Sequence, residues 1–146
     1  MTMVPTQIRP GMRLLPHPGA RPLSLIVTCP SAPRCVPQMR HIGGTALREW
    51  GLEALLGTAL LLISELVTNA VQHAAAEEIR VSISFGEDLL WLAVDDGSPG
   101  LARVEHAGPE AESGRGMAIV EELSEEWGTD GPRTWCVVRA AESGAS

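Results

Sequence analysis

The chain contains no lysine: all eleven cationic side chains among its 146 residues are arginine. That absence excludes a P-loop, whose Gly-x-x-x-x-Gly-Lys pattern needs the lysine for the phosphates. An ATP site here would have to rely on Mg²⁺, backbone N–H groups and arginine. Cysteine is scarce and odd in number. Cys29, Cys35 and Cys136 lack Cys-x-x-Cys spacing, so neither a zinc site nor a disulfide framework can be read from them. Reduced thiols are expected, with Cys29 and Cys136 in strand-like surroundings. Long hydrophobic runs are also missing. The longest apolar stretch, 54–63, is interrupted by Gly57 and Thr58 and is too short to span a bilayer. The first 22 residues carry Pro5, Pro10, Pro16, Pro18 and Pro22 with scattered arginine, and no apolar stretch of signal-peptide length. Net positive charge is absent too. The formal net charge of −7 argues against nucleic acid as a generic partner, because phosphate backbones call for a basic surface. A cytoplasmic protein with no membrane segment is expected.

What is present is enough for one ordinary domain with a real core. Hydrophobic residues make up 45% of the chain, which favours a globular protein over a disordered one. Residues 1–22 read as a flexible tail, 23–140 as the domain and 141–146 as a small, polar C-terminal tail. Within the domain, 23–28 reads as a short strand. A helix is expected over 38–50, broken near Gly43-Gly44 or starting after them, and a stronger one over 53–75. Residues 79–85 alternate apolar and polar, as a half-buried strand does. Gly86-Glu87-Asp88 makes a turn and 89–95 the second strand of a hairpin. A loop follows over 97–113, then a helix over 114–126 and a last strand over 134–138. This order fits a two-layer α/β (α+β) sandwich, with helices on one face of a mixed sheet.

The run 64–73 reads Ser-Glu-Leu-Val-Thr-Asn-Ala-Val-Gln-His and places Glu65 and Asn69 four apart in apolar surroundings. On a helix both then share one face, and a carboxylate and an amide are costly on a buried helix without partners. A Mg²⁺ ion and a water beside nucleotide phosphates would supply those partners. Otherwise Glu65 simply faces solvent and Asn69 caps a fraying helix end. Two glycine-bearing segments follow, Asp96-Gly97-Ser98-Pro99-Gly100 and Gly114-Arg115-Gly116. Leu90, Leu92, Val94 and Asp96 share one strand face, which puts Asp96 in the inward series and leaves Asp95 as the reserve. The same residues would also serve as a plain turn after a strand. Gly114 and Gly116 let a backbone approach phosphates closely, Arg115 adds charge, and a helix beginning there offers free N–H groups and its dipole. The bland alternative is a glycine hinge. Met117, Ile119, Val120 and Leu123 are core residues under either reading.

Taken in order, Glu65-x-x-x-Asn69, Asp96 to Gly100, Gly114-Arg115-Gly116 and Gly131-Pro132-Arg133-Thr134-Trp135 resemble the motif series of the GHKL ATPases. That superfamily includes gyrase, heat-shock chaperone, histidine kinase and mismatch-repair ATPases. The chain resembles more closely the anti-sigma-factor serine/threonine kinases and their small bacterial relatives known only as ATP-binding regulators. Residues 64–74 are similar to that family's N box. Gly114 to Val120, with Leu123 and Trp127-Gly128, are similar to its second glycine box. The likeness covers 23–139, and the ordered combination is far more specific than any one motif. It implies the Bergerat ATP-binding fold with ATP and Mg²⁺ as cofactors. Asn69 would hold Mg²⁺, and Glu65 would orient or deprotonate the attacking hydroxyl. Asp96 would accept the adenine amino hydrogen, with Ser98 where many relatives have glycine, and Gly100 closing the box. Gly114, Arg115 and Gly116 would lie at the phosphates. Thr134 either touches a phosphate or merely starts a strand, in a motif one residue tighter than the relatives' Gly-Lys-Thr-x-Trp. His73, one turn past Asn69, is given a packing or capping role outside the site.

By the same resemblance the function is that of a Mg·ATP-dependent serine/threonine protein kinase in a sigma-factor switch. Such a kinase binds and blocks a sigma factor, and it phosphorylates a serine on a small anti-anti-sigma antagonist. Members commonly form homodimers. The segment 101–113 would be the ATP lid, but with Glu105, Glu110 and Glu112 against Arg103 it offers little to clamp a γ-phosphate. That favours the runner-up, a non-catalytic ATP-binding module acting by nucleotide-dependent docking. A histidine-kinase catalytic fragment would need an upstream phosphoacceptor helix pair, which these residues do not contain. Intact Asn69, Asp96 and Gly116 oppose a module that has lost nucleotide altogether.

Overall fold

In the computed structural model, which describes residues 23–73, 76–97 and 111–140 (side chains included except at 111–116), alternation builds the sheet. Leu25, Val27 and Cys29 of β1 (Leu23–Pro30) face the core, as do Ile79, Val81 and Ile83 of β2 (Glu78–Gly86). Leu90, Leu92 and Val94 of β3 (Leu89–Asp95) continue the layer, joined by Cys136 and Val138 of β5 (Arg133–Arg139). The strand order is β1-β2-β3-β5-β4, with β4 at Glu126–Asp130 on the edge. Three helices cover this layer: α1 (Cys35–Glu49), α2 (Leu56–His73, entered through a 3-10 turn at Glu53–Leu55) and α3 (Ala111–Leu123). The result is the expected α+β sandwich. Residues 1–22, 74–75, 98–110 and 141–146 lie outside the described set, and with them both tails, Ser98, Gly100 and most of the proposed lid.

Helix α2 occupies the middle of the helical layer. Leu62, Ile63, Leu66, Val67 and Ala70 are buried on it, and it packs against α1, α3 and the sheet. Glu53–His73 has 21 residues, and an 18-residue window within it has a mean hydropathy of 1.8, long and apolar enough by composition to cross a membrane. Here that apolarity is that of a core helix with neighbours on several sides. The helix expected to break at Gly43-Gly44 is continuous. A Cβ at Gly43 would come within 2.8 Å of Ile63 Cδ1 and 3.4 Å of Ile83 Cδ1, so this glycine lets α1 press onto α2 and the sheet.

The sheet itself corrects one expectation. All four strand pairings are antiparallel, where a mixed sheet was expected. The physical reason is β4, of which the sequence reading assigned only Glu126, as the end of a helix. A strand entered directly from α3 would run parallel to β3. The additional edge strand turns the chain back through Gly131, whose φ is +63°, so that β5 enters antiparallel between β4 and β3. Strand β3 keeps its expected bounds.

The β2–β3 hairpin closes on Glu87 and Asp88, both in the left-handed region at φ +54° and +67°. That is the two-residue geometry for which Asn-Gly is preferred, and a left-handed L-residue carries a steric cost. Glu87→Asn with Asp88→Gly should raise stability by about 1 kcal/mol, measured as a shift in the urea midpoint.

Candidate functional site

Glu65 and Asn69 stand one turn apart on α2, the middle helix of the layer. Asn69 is 8% exposed and therefore buried, while Glu65 is half-buried. Glu65 follows a residue that α1 holds in place. Arg40 Nη1 donates to Ser64 Oγ at 2.6 Å and to Leu60 O at 3.1 Å, and Ser64 Oγ donates in turn to Leu60 O at 2.9 Å. Arg40 thus ties α1 to the turn of α2 that carries the carboxylate. The sequence reading gave Arg40 no role, because an arginine on an amphipathic helix carries no local signal of where its guanidinium will land.

At the end of β3 the two adjacent aspartates part company. Asp96 is fully buried, at 0% exposure, and lies on the helix side in line with Leu90, Leu92 and Val94. Its backbone N–H donates to Pro132 O at 3.1 Å, which anchors it to the β4–β5 turn. Asp95 is half-buried on the other side, and its Oδ1 accepts from the Gly97 N–H at 2.9 Å. That bond closes a local turn. Gly97 has φ +75°, and a Cβ there would sit 2.6 Å from Ala76 Cβ. The chain leaving β3 therefore lies directly against the chain leaving α2, and only glycine allows it.

Thr134 pairs with Val94 in the β3–β5 ladder and is 2% exposed, so it shares the helix-facing side with Asp96. Both residues have polar partners within the fold. Helix α2, which carries Asn69, packs against β3 and β5, the strands that lead into Asp96 and contain Thr134. The second glycine box is placed differently from the expectation. Helix α3 starts at Ala111 and ends at Leu123, so Gly114, Arg115 and Gly116 lie inside its opening turns. Nothing in the sequence of 111–113 forbids helical backbone, and the helix takes these residues in.

The thiols are no competing chemistry. Burial pushes Cys136 up to about 12. Cys35 is also raised to about 12, first by burial and then by its hydrogen bond and charge interaction with Cys29. All three cysteines are free, as expected, and among the described residues no group of three or more His, Cys, Asp or Glu side chains could hold a metal. A groove between β1 and α1, bounded by Val27, Cys29, Pro37 and Ile42, contains none of the site residues named from the sequence. The oxygen donors of Glu65 and Asn69 suit a hard cation that keeps most of its ligands as water and phosphate.

No curated protein matches the chain. A family model does: that of the histidine kinase-like ATPase domain matches residues 29–139, from the end of β1 through β5. The ordered motifs, the helix–sheet sandwich and this match agree, and the chain belongs to the histidine kinase-like ATPase domain family of GHKL-type ATP-binding proteins.

Proposed function

We propose that this ATP-binding domain is a Mg²⁺-dependent serine/threonine protein kinase of the anti-sigma-factor type, acting on a serine of a small anti-anti-sigma protein. The observation that carries the reading is Glu65 and Asn69 one turn apart on a helix that packs against β3, the strand followed directly by a fully buried Asp96. The buried Asp96 carboxylate can accept from an exocyclic amine, which selects adenine. The Asn69 side-chain oxygen is a ligand for the cation. Glu65, less enclosed than Asn69, can take the proton of an incoming serine hydroxyl. Thr134, buried on the helix-facing side of the sheet, can donate to a phosphate oxygen. Mg²⁺, when bound, neutralises phosphate charge, and phosphoryl transfer asks for little more than positioning and such neutralisation. In this reading the protein also binds a sigma factor and blocks it until the antagonist is present.

The runner-up, an ATP-binding regulator that docks partners without transferring phosphate, is favoured by one observation. With α3 beginning at Ala111, the N–H groups of Gly114 to Gly116 fall within the helix and not ahead of it. A phosphate loop would need the helix to start later.

Calorimetric titration with ATP, with and without Mg²⁺, tests the site. Binding that requires Mg²⁺ supports it; no binding by the intact chain overturns both readings. In the same titration Asp96→Asn should weaken ATP by about 10- to 100-fold, the worth of a hydrogen bond to a charged group. Asp95→Asn, which alters only a turn, should change affinity little. The reverse order would move the adenine contact to Asp95.

A further inference from the structure

The sheet has two edges, and the sequence treats them differently. An edge strand offers a row of unpaired N–H and C=O groups, which proteins blunt with shortness, charge, proline or bulges. Strand β4 is blunted in this way: it has five residues and is bounded by Glu126 and Asp130. Strand β1 is not. It runs for eight residues, with no charged side chain and with proline only at its last position. Its ladder partner is β2, and among the described residues no backbone bond beyond that ladder uses Leu23 to Pro30. Alternate residues of an antiparallel pair exchange their bonds with the neighbour, so every second residue of β1 turns its N–H and C=O outward.

Beside this edge lies the groove between β1 and α1, about 490 Å³ in volume, with Val27, Cys29, Pro37 and Ile42 as its apolar walls. Gln38 is held there as the acceptor of the Cys29 thiol at 3.1 Å. Charge on the helix above has one sign. Arg34, which caps α1 with helical dihedrals, His41 and Arg48 follow one another at seven-residue spacing and are all exposed. Positions seven apart share a helix face, and His41 borders the groove. Residues 23–48 contain no Asp or Glu, in a chain whose net charge is −7. Across the ladder the exposed Glu78 and Arg80, opposite Pro30 and Thr28, offset one another.

We propose that the β1 edge and this groove form a docking site for an extended acidic segment of a partner protein, added to the sheet as a sixth strand. In this mode main-chain bonds to the edge give affinity and side-chain pockets give specificity. Every second side chain of the added strand faces the helical layer. The middle members of that series are apolar and enter the groove, and the outer members are carboxylates that reach Arg34 and Arg48. The lengths agree: Arg34 to Arg48 rises about 21 Å along the helix, and seven extended residues span about 20 Å. A second copy of this chain is the wrong occupant, because its β1 carries no acidic side chain and its α1 would bring the same cations to the same edge. The site needs no nucleotide and contains none of Glu65, Asn69 and Asp96.

The test is fluorescence anisotropy of the full chain with a fluorescein-labelled, end-capped peptide, Glu-Thr-Leu-Thr-Leu-Thr-Glu. Binding is expected, and lysine in place of both glutamates should weaken it about 10-fold by turning two attractions into repulsions. Arg34→Gln with Arg48→Gln should weaken the glutamate peptide about 5-fold and remove most of its advantage over the lysine one, with far-UV circular dichroism unchanged. N-methylating the threonines, or separately the leucines and glutamates, removes the amide hydrogens of one register or the other. One of these two peptides should lose about 10-fold or more in affinity and the other little. No binding, equal binding of the lysine peptide, or equal effects of the two methylation patterns would overturn the proposal. So would sedimentation showing a dimer that dissociates as peptide binds, which would assign the edge to a second copy of the chain.

Discussion

Replacing Asn69 with alanine is expected to abolish the Mg²⁺-dependent part of ATP affinity, a loss of about 100-fold or more, since even groups that only support a metal ligand are worth 10- to 100-fold. The substitution is well suited to the question. Asn69 is buried on α2, alanine is the better helix former, and the buried apolar neighbours on α2 remain. A circular dichroism spectrum and thermal midpoint close to those of the intact chain are therefore expected. Glu65→Ala should behave differently: ATP affinity stays, and phosphate transfer to an anti-anti-sigma protein falls by about 10²- to 10⁴-fold, the usual worth of a positioned base. Calorimetry with and without Mg²⁺ reads the first effect and radiolabelled phosphate transfer the second. Full transfer by Glu65→Ala removes that carboxylate from the chemistry.

The pair of variants also separates the kinase from the docking regulator. If Asn69→Ala loses Mg·ATP while the intact protein transfers phosphate to no antagonist, nucleotide is a ligand that controls docking, and Glu65 is a half-buried surface residue. If transfer occurs and depends on Glu65, the helix α3 boundary must shift when phosphates bind, because Gly114 to Gly116 would then have to release their N–H groups.

The parts of the fold that local chemistry determines were legible in the sequence. Strand β3 and its hairpin turn follow from alternation and from the Gly86-Glu87-Asp88 punctuation, and Asp96 inherits its burial from the alternating positions before it. Helix α2 follows from its apolar periodicity. What could not be read depends on contacts distant in sequence. Strand β4 has five residues, of which only Trp127 is both large and apolar, and Glu126, Thr129 and Asp130 are exposed; nothing local distinguishes it from a helix end. Missing it also reversed the expected direction of β5. Gly43 reads as a helix breaker until Ile63 of α2 is known to press against it. Ser82 and Ser84 look solvent-facing by alternation, yet both are buried, because burial on the second sheet face depends on what lies across it.

A last expectation concerns alkaline stability, and composition makes it unusually clean. With no lysine and no tyrosine in the chain, the thiols are the only side chains that titrate between the range of the terminal amine and that of arginine. Cys35 and Cys136, each at 0% exposure, are raised from 9.0 to about 12 in the fold. The folded thiols therefore keep their protons where the unfolded ones have lost them. Stability is complete below pH 9 and falls as the pH rises towards 12, because the unfolded state there binds fewer protons. By pH 10.5 the loss is about 2 kcal/mol for each such thiol, a large part of the stability of an ordinary domain. Urea midpoints measured from pH 7 to 11 should show this decline. Cys136→Ala should lower the midpoint at pH 7 through the lost packing, yet flatten the alkaline slope by about half. An unchanged slope in Cys35→Ala/Cys136→Ala would mean that the alkaline loss arises elsewhere. Because thiols held protonated are poor nucleophiles and poor metal ligands, a slope flattened by these substitutions would leave the chemistry of this domain to Glu65, Asn69 and Asp96.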